Sequence, residues 1–428
     1  MHKVAKLITR DQEDKIVVLS AVSGTTNQLV RIGEMLIAHK QQEAKEEINA
    51  LQQHYDSFLE KLFSSDQGLE NGKKVVENFF HDLETLAEIP DFNEGNEKTV
   101  LAIGELLSTH LFNAYLHDQE IPATMLPALD FMRIDDLGEP DMDFLSAALK
   151  QLLDNHPDNS IFITQGFICR NSRGQTDNLK RGGSDYTASL IGAAIGAKEV
   201  QIWTDIDGMH NNDPRVVEKT VPVASLSFDE AAELAYFGAK ILHPASIQPA
   251  QRYNIPVWLK STLNENAYGT LIGESDQHGA IKAVAAKDNI TAIKIKSTRM
   301  LLAYGFLRQL FEVFEKYTTP IDMITTSEVA VSLTIDDDKH LASIIRDLEH
   351  FGSVDIDHDM TIICLVGSNI LETNGMAQQI MNALENIPIR MISLGGSKNN
   401  VSVLLETQYK NQALQQLNTG VFSIKESE

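Results

Sequence analysis

Residues 16–27 read Ile-Val-Val-Leu-Ser-Ala-Val-Ser-Gly-Thr-Thr-Asn, and this stretch decides the fold class. The first four residues are apolar and mostly β-branched, which is typical of a short buried strand. The next eight are rich in Ser, Thr and Gly and predict a loop, and a helical pattern begins at Gln28. Strand, loop and helix in this order predict the start of an α/β unit.

The same alternation continues along the first two thirds of the chain. A helix-like segment, 4–9, precedes the first strand, and residues 28–90 read as helical with one apolar face. We interpret the long helices as a solvated hairpin, and the alternative is a partner-binding helix. Further strands are predicted at 160–164, 199–204 and 255–260, further helices at 184–196 and 231–237, and a long loop at 166–183. This order predicts a parallel sheet with helices on both faces.

The composition of the sequence changes near residue 273, where a polar, turn-rich stretch predicts a linker. The elements beyond it are short and repeat weakly as two ferredoxin-like βαββαβ units. The predicted strands are 290–296, 329–335, 361–366 and 401–406, and the predicted helices are 305–317, 341–351 and 377–385. We therefore expect one domain at 1–280 and tandem smaller domains at 283–428. The first of these is expected at about 298–365 and the second at 283–297 plus 366–428.

Composition excludes several classes of function. The 428 residues carry a formal net charge of −24, which disfavours nucleic acid and anionic membranes as partners. The two cysteines, Cys169 and Cys364, lie in apolar segments and have no metal-binding or disulfide spacing. The sequence shows neither a signal peptide nor an apolar run near the roughly 20 residues that span a bilayer. We expect a cytoplasmic protein without a resident metal.

One motif with ligand-binding chemistry is Arg181-Gly182-Gly183-Ser184-Asp185. Two glycines let the backbone approach a ligand, and the helix behind them directs free N–H groups and a positive dipole end toward it. The guanidinium of Arg181 is a planar fork suited to a carboxylate or a phosphate. The alternative interpretation is a tight turn without a ligand.

Three further segments carry chemistry, each with a structural alternative. Thr204-Asp205-Ile206-Asp207-Gly208, followed by Asp213-Pro214-Arg215, comes after a strand, where open α/β sheets bind ligands. It equally fits an acidic turn. In residues 237–244, Lys240 follows a glycine and can reach a phosphate, whereas His243 before a proline reads as structural. Glu105, expected at the start of an apolar helix, is either a substrate ligand or a favourable first-turn acid.

Together these motifs, in this order, resemble the aspartate kinases from about Lys3 to the C-terminus. Met300-Leu301, Gly305-Phe306-Leu307 and residues 322–328 resemble the first ACT domain of the same enzymes. The resemblance implies an amino-acid-kinase domain, two ACT domains and a monofunctional enzyme. It implies transfer of the γ-phosphoryl group of MgATP to the side-chain carboxylate of L-aspartate, the first step toward lysine, threonine and methionine. The cofactors it implies are ATP and Mg²⁺.

The resemblance also implies roles for individual residues. Arg181 would bind the α-carboxylate of aspartate and Glu105 its amino group, and Ser184 and Asp185 would lie near the reacting groups. Ser20 and Thr26 would line the aspartate site. The ATP site would be lined by Thr204, Asp205, His210, Arg215 and Lys240, with His210 where many members have tyrosine.

Two departures from the family pattern bear on activity. The family begins with a strand and a Lys-Phe-Gly-Gly-Thr-Ser loop, and nothing like it occurs before Lys3. We therefore expect the chain as written to be at most weakly active. Residues 177–180 read Asp-Asn-Leu-Lys where many members have Thr-Thr-Leu-Gly. The rival hypotheses are a different amino-acid kinase and a non-catalytic amino-acid sensor.

The regulatory segment predicts an effector site. Gly305 frees backbone N–H groups for a carboxylate, and Asp322 and Glu328 supply negative charge for an ammonium group. Met300, Leu307 and Ser327 complete the candidate site. By resemblance, such sites lie between ACT domains of two chains, so a homodimer or larger assembly is expected. Lysine is our first choice of effector and threonine the second. The alternative is that the two acids only cap local turns.

Overall fold

The computed structural model describes residues 1–179, 182–238, 242–274, 280–297 and 304–422, and the chain is divided between two units. Met1–Asp205 and Ala245–Ala267 make up the first unit, and Ile206–Pro244 and Tyr268–Glu428 the second. Residues 206–244 thus fold with the C-terminal part of the chain. The predicted domain boundary at residue 280 does not coincide with the division between these two units. It stays a proposal.

The first unit consists of parallel strands and helices. In chain order its elements are α1 (His2–Ile8), β1 (Lys15–Leu19), α2 (Thr25–Ile37), α3 (Gln41–Leu62), α4 (Asp66–Ala87), α5 (Glu94–Asp118), β2 (Thr124–Met125), α6 (Ala128–Phe131), α7 (Met142–Asp154), β3 (Ile161–Gln165), β4 (Ile168–Arg170), β5 (Thr176–Asn178), α8 (Gly183–Ile195) and β6 (Val200–Thr204).

The predicted parallel pairing is confirmed in this unit. Strand β3 is fully buried and pairs in parallel with β1 and with β2. After the segment that belongs to the second unit, the chain returns and β6 pairs in parallel with a later strand, Val257–Ser261. The predicted 166–183 loop is corrected, because Ile168–Arg170 and Thr176–Asn178 form an antiparallel hairpin around a turn at Gly174.

The long predicted helices are α2, α3 and α4, and they pack with α5 around one apolar core. Ile48, Leu51, Tyr55 and Leu59 are each at most 1% exposed, so the apolar stripe of α3 faces this core. Glu43 and Glu46 lie on the opposite, exposed face. The amphipathic pattern therefore packs within the unit, as the hairpin interpretation predicts.

The remaining elements complete both units. In chain order they are β7 (Ser225–Leu226), α9 (Phe228–Tyr236), α10 (Pro244–Arg252), β8 (Val257–Ser261), β9 (Thr270–Ile272), β10 (Ile281–Lys296), α11 (Phe306–Lys316), β11 (Ile324–Thr326), β12 (Ala330–Ile335), α12 (Leu341–Leu348), β13 (Ser353–Gly367), α13 (Met376–Ala383), β14 (Met391–Leu394), β15 (Asn400–Glu406) and α14 (Lys410–Gly420). Two short 3₁₀ helices, Ile370–Glu372 and Thr407–Tyr409, lie among them.

The second unit contains a six-stranded sheet in the order β11-β12-β10-β13-β15-β14. Strands β10 and β13 are long and antiparallel, and each contributes to two βαββαβ-like halves. Residues 291–296 pair with β12, whereas 281–287 pair with the end of β13 that also pairs with β15. A bulge between Lys287 and Ile290 thus separates the part of β10 that pairs beside β12 from the part that pairs beside β15. The expected bounds of the two small domains stay a proposal.

Two observations bear on cellular context. Cys169 and Cys364 are both buried free thiols, and burial raises the pKa of each to about 12. Such thiols stay protonated and are inert at neutral pH. Within the described ranges, no helix has the length and apolar character needed to cross a membrane.

Candidate active site

The carboxyl ends of β1 and β3 lie against the start of α8. The backbone N–H of Gly166, just after β3, donates to the carbonyl oxygen of Leu19 at the end of β1, at 2.9 Å. A methyl group added at Gly166 would lie only 2.6 Å from Cα of Ser184. Glycine is therefore required here for the strand end and the helix start to touch. This contact brings Ser184 to the strand edge where open α/β sheets bind ligands.

The loop after β1 is held against the middle of α5. The backbone N–H of Ala21 donates to Oε1 of Glu105 at 3.3 Å, and Oγ of Ser108 donates to the carbonyl oxygen of Ser20 at 2.8 Å. A methyl group at Gly104 would lie 3.0 Å from Cβ of Ala21, so the helix and the loop are in close contact. The structure thus places the loop that carries Ser20 beside Glu105. The roles of both residues in an aspartate site stay predictions.

Glu105 is a buried carboxylate with one unsatisfied oxygen. Glu105 is 5% exposed, and its Oε2 has no hydrogen-bond partner among the described residues. Burial raises the pKa of Glu105 to about 7, against hydrogen bonds from the backbone that lower it. Glu105 lies in the middle of α5, more than two turns from Glu94, so the first-turn interpretation is wrong. A buried carboxylate of this kind requires a positively charged or N–H-bearing partner.

The first turn of α2 presents two threonines with different roles. Thr25 is 1% exposed, and its hydroxyl hydrogen-bonds to the buried Tyr55 hydroxyl at 2.8 Å. Thr26 is exposed. Sequence reasoning selected Thr26 and missed Thr25, Tyr55 and Ser108, which fix the loop. The Tyr55 position carried no signal beyond helical periodicity, because its hydroxyl partner is 30 residues away.

Gly182 and Gly183 form the entry to α8. Both have left-handed φ values, 70° and 50°, and Gly182 is the N-cap of the helix. A methyl group at Gly182 would lie 1.8 Å from Oγ of the buried Ser246, so only glycine fits. Lys180 and Arg181 lie outside the described residues. The helix start therefore offers free backbone N–H groups beside the strand edge, as an anion site requires.

Asp185 lies in the first turn of α8, and burial raises its pKa to about 6. It has no ion-pair partner within the part of the chain that the structure describes. The described residues contain no group of three or more metal-ligating side chains. Mg²⁺ that enters with a nucleotide is held mainly by phosphate oxygens and water and needs only one or two carboxylates. Asp185 fits that requirement.

The predicted nucleotide residues are divided between the two units. Thr204 ends β6 in the first unit, where its carbonyl oxygen accepts hydrogen bonds from N–H and Oγ1 of Thr262, each at 2.8 Å, and the exposed Asp205 follows. In the second unit, both ring nitrogens of His210 have partners, Asp207 Oδ1 at 2.9 Å and Thr220 Oγ1 at 2.7 Å.

Arg215 also belongs to the second unit, and its guanidinium donates two hydrogen bonds to the carboxylate of Asp213. The two N–O distances are 2.9 and 2.8 Å, and its side chain is 85% exposed. This pairing lowers the pKa of Asp213. Lys240 lies outside the described residues. The ATP-binding roles of these residues stay predictions.

The predicted effector residues are also in the second unit. Gly305 has φ 82° and is the N-cap of α11, and Leu307 follows in its first turn. The side chain of Asp322 is 1% exposed, and its Oδ1 accepts hydrogen bonds from Lys287 and Tyr236. Asp322 therefore does not cap a turn, which removes that alternative for this residue. Ser327 and Glu328 are exposed, and Met300 lies outside the described residues.

Comparisons with known proteins identify the family. The model of the amino acid kinase family matches residues 1–261, and an ACT domain model matches residues 363–420. Lysine-sensitive aspartokinase 3 of Escherichia coli is 33% identical over 99% of this chain and 96% of its own length.

Two solved structures of aspartokinase III from E. coli resemble this fold over 98% of this chain and 96% of theirs. One is the complex with aspartate and ADP, described as the R-state, with a TM-score of 0.82 and 32% identity. The other is the complex with lysine and aspartate, the T-state, with a TM-score of 0.81 and 33% identity. This chain belongs to the amino acid kinase family, and within it to the aspartokinases.

Proposed function

We propose that this chain transfers the γ-phosphoryl group of ATP to the side-chain carboxylate of L-aspartate. The product is 4-phospho-L-aspartate, and the step opens the biosynthesis of lysine, threonine and methionine. The observation that carries the proposal is Glu105, a buried carboxylate with a free oxygen beside the Ser20 loop. An amino acid brings the ammonium group that such a carboxylate requires.

The start of α8 supports binding of the anionic part of the reaction. Backbone N–H groups after Gly182, together with the helix dipole, favour a phosphate or a carboxylate. Ser184 and Asp185 are the first polar side chains there. Arg181 precedes this turn in the sequence and supplies a fixed positive charge for the α-carboxylate of aspartate.

The reaction requires positioning rather than a covalent intermediate on the protein. An oxygen of the aspartate carboxylate forms a bond to the γ-phosphorus, the bond from that phosphorus to the bridging oxygen breaks, and ADP leaves. The carboxylate is already ionised at neutral pH, so no general base is needed. Mg²⁺ bound with the nucleotide neutralises charge on the transferred group, and Asp185 would hold it.

A steady-state assay of ADP formation tests this proposal. We expect turnover that depends on both ATP and aspartate and that is lost when glutamate replaces aspartate. Arg181→Ala should raise the KM for aspartate far more than that for ATP, because a charged hydrogen bond of this kind contributes ~2–5 kcal/mol. Equal effects on the two KM values would contradict the role of Arg181. No aspartate-dependent ADP in any condition would favour a non-catalytic sensor.

We further propose a cytoplasmic location, which two reduced, buried cysteines support.

We also propose feedback regulation by an amino acid at the ACT domains of a homodimer. Lysine is the first candidate, because its two ammonium groups suit Asp322 and Glu328, and threonine is the second. The αL cap at Gly305 supports carboxylate binding at the start of α11. Calorimetric titration of each amino acid into the full chain tests the proposal, with Asp322→Ala as the comparison. Equal affinity in the variant would remove Asp322 from the site.

A further inference from the structure

Gln165 is the last residue of the buried strand β3, and its side chain bonds to two helices of the first unit. The residue is 1% exposed. Its Oε1 accepts from the backbone N–H of Ala128, the first residue of α6, at 2.8 Å. Its Nε2 donates to the hydroxyl of Thr109 in α5 at 2.8 Å. Because both the oxygen and the nitrogen of this buried amide have partners, its orientation is fixed.

Thr109 extends this contact to the main chain of Glu105. Thr109 is fully buried, and its hydroxyl donates to the carbonyl oxygen of Glu105, one turn earlier in α5, at 2.8 Å. The carbonyl oxygen of Leu106 is also within reach, at 3.0 Å. Since the same hydroxyl accepts from Gln165, two hydrogen bonds run in one direction from the strand end to the main chain of Glu105. Hydrogen bonds in such a buried chain strengthen one another.

The turn of α5 that carries Glu105 is thus attached to the ends of two adjacent strands. The loop after β1 holds it through the N–H of Ala21 and the carbonyl oxygen of Ser20, and the end of β3 holds it through Gln165. Strands β1 and β3 are parallel neighbours, with Leu19 opposite Gln165. The Glu105 carboxylate therefore has a defined position relative to the carboxyl edge of the sheet.

The start of α8 is positioned by the next residue of the same strand end. Gly166 follows Gln165 directly, and a methyl group on it would lie 2.6 Å from Cα of Ser184 in the first turn of α8. Neighbouring Cα atoms are about 3.8 Å apart. Consecutive residues therefore fix the buried carboxylate on one side and the helix N-terminus on the other. A bound amino acid needs a set spacing between these two groups, because its own ammonium and carboxylate groups are covalently connected.

We propose that Gln165 is a positioning residue for aspartate and that it acts through Thr109. It fixes Glu105 relative to the strand end that Gly166 shares with the start of α8, and so sets the spacing between the group that binds ammonium and the group that binds an anion. Gln165 itself contacts no substrate, since its amide is occupied by Ala128 and Thr109. This inference rests on the proposed function, and it concerns the binding of aspartate and not of the nucleotide.

Removal of the Thr109 hydroxyl interrupts the chain with little change of shape. In Thr109→Val the Glu105 turn loses its contact with β3, so the carboxylate can shift away from its position. Because a displacement of about 1 Å can cost up to a hundredfold, we expect aspartate to bind at least about tenfold more weakly. The KM for aspartate should rise by a similar factor, and the KM for ATP should not change. Thr109→Ser keeps the hydroxyl and should restore wild-type values.

Calorimetry titrates aspartate into the full-length protein, and steady-state ADP formation gives the two KM values. The variants are Thr109→Val, Thr109→Ser, Gln165→Met and the double variant Gln165→Met/Thr109→Val. The matched control is Thr124→Val, because the hydroxyl of Thr124 also accepts from a side-chain amide, that of Asn159. Thr124 lies in β2 opposite Phe162, near the other end of β3. Circular dichroism and urea unfolding check that each variant is folded.

We expect wild type, Thr109→Ser and Thr124→Val to bind aspartate alike, and Thr109→Val and Gln165→Met to bind it more weakly. The double variant should bind no more weakly than the weaker single variant, since either change interrupts the same chain. Wild-type affinity for aspartate in a folded Thr109→Val overturns this inference and leaves the proposed function in place. An equal rise of both KM values also overturns it, because that result indicates a general loss of structure. Absence of aspartate binding to wild type overturns the proposed function together with this inference.

Discussion

Glu105 is a carboxylate that the fold buries without giving it a cation. It occupies the middle of α5, accepts one hydrogen bond from Ala21, and leaves its second oxygen unsatisfied. Such a group costs stability in the free protein and gains a partner only when a ligand arrives. This trade between stability and binding is typical of functional sites.

The first prediction concerns the pH dependence of stability at Glu105. Its pKa is raised by burial from 4.5 to about 7 in the folded chain. The folded state then binds more protons than the unfolded state between these pH values, so stability is lost as pH rises through this window. Above pH 7 the loss amounts to roughly 3 kcal/mol, at about 1.4 kcal/mol per pKa unit. Glu105→Gln should therefore raise the Tm at pH 8 and leave it almost unchanged near pH 4.5.

Calorimetric melting at the two pH values measures this difference without substrate. Glu94→Gln, an exposed glutamate of the same helix, is the control, and its Tm should differ little from wild type at both pH values. In wild type, added aspartate should raise the Tm at pH 8, and in Glu105→Gln it should not. If wild type and Glu105→Gln melted at the same temperature at pH 8, an unsatisfied negative charge on Glu105 would not destabilise the folded chain, and the prediction would be wrong.

At the scale of elements, the site depends on how closely β3 approaches α8. The αL glycines at the start of α8 set the direction of the helix, and Gly166 lets the strand end touch it. Thr187 strengthens this junction, since its hydroxyl accepts from the N–H of Phe167 at 2.9 Å and donates to the carbonyl oxygen of Gly183 at 3.2 Å. The junction therefore fixes the position of Ser184 through backbone contacts and the Thr187 hydroxyl.

The second prediction is that Gly166→Ala damages this junction. The new methyl group would lie 2.2 Å from Oγ and 2.6 Å from Cα of Ser184, so the backbone of α8 must shift. Overpacking of this kind costs ~1–3 kcal/mol. We expect that loss in the free energy of unfolding, measured in urea, together with a large fall in kcat.

Gly192→Ala in the same helix is the matched control. Its methyl group would meet Cγ2 of Val200 at 2.6 Å, which is the end of a side chain that can adjust. Alanine also gains up to ~1 kcal/mol of helix propensity over glycine. The control should thus stay within about 1 kcal/mol of wild type. A Gly166→Ala variant as stable and active as the control would show that the junction is looser than described.

At the scale of the whole molecule, each unit has hydrophobic cores of its own. The cores around α2–α5 and around α6–α8 belong to the first unit, and those around α11–α12 and α13–α14 belong to the second. Segment 206–238 is tied to the second unit, where Asn212 donates to the carbonyl oxygen of Leu414 and Val217 joins the core. Separate cores favour separate unfolding transitions.

The third prediction uses the fact that both tryptophans, Trp203 and Trp258, are in the first unit. Asn418 is fully buried in the second unit, accepts from Asn211 at 3.2 Å and donates to the carbonyl oxygen of Lys219 at 3.1 Å. Asn418→Ala leaves these groups unsatisfied at a cost of ~1–3 kcal/mol. In urea unfolding, part of the change in circular dichroism ellipticity should move to a lower urea concentration, because the second unit is destabilised. The transition in tryptophan fluorescence, which reports the first unit, should stay at the same urea concentration as in wild type.

Thr419→Ala is the control, because Thr419 is exposed and its hydroxyl bonds only within its own helix. It should leave both transitions where they are in wild type. If Asn418→Ala moves the fluorescence and ellipticity transitions by the same amount, the two units unfold as one cooperative body.

The sequence by itself determined the order of strands and helices, the helical stretch at 28–90, the motifs and the family. Periodicity and composition act within about a dozen residues, so they report the type of each element and its apolar face. Strand β10 shows the limit of this information. The sequence predicted only 290–296, because Ile281–Lys287 is rich in Ala and Lys, and burial against β13 makes it a strand.

Tertiary structure alone decided which distant residues meet. Glu105 meets Ala21 across 84 positions, and Tyr236 meets Asp322 across 86. Neither partner is marked in the local sequence, because a hydrogen bond between distant segments depends on how the elements pack and not on their propensities. The same reason explains why Asp322 read as a turn cap or an effector ligand in sequence, whereas in the folded chain it is a buried carboxylate shared by Tyr236 and Lys287.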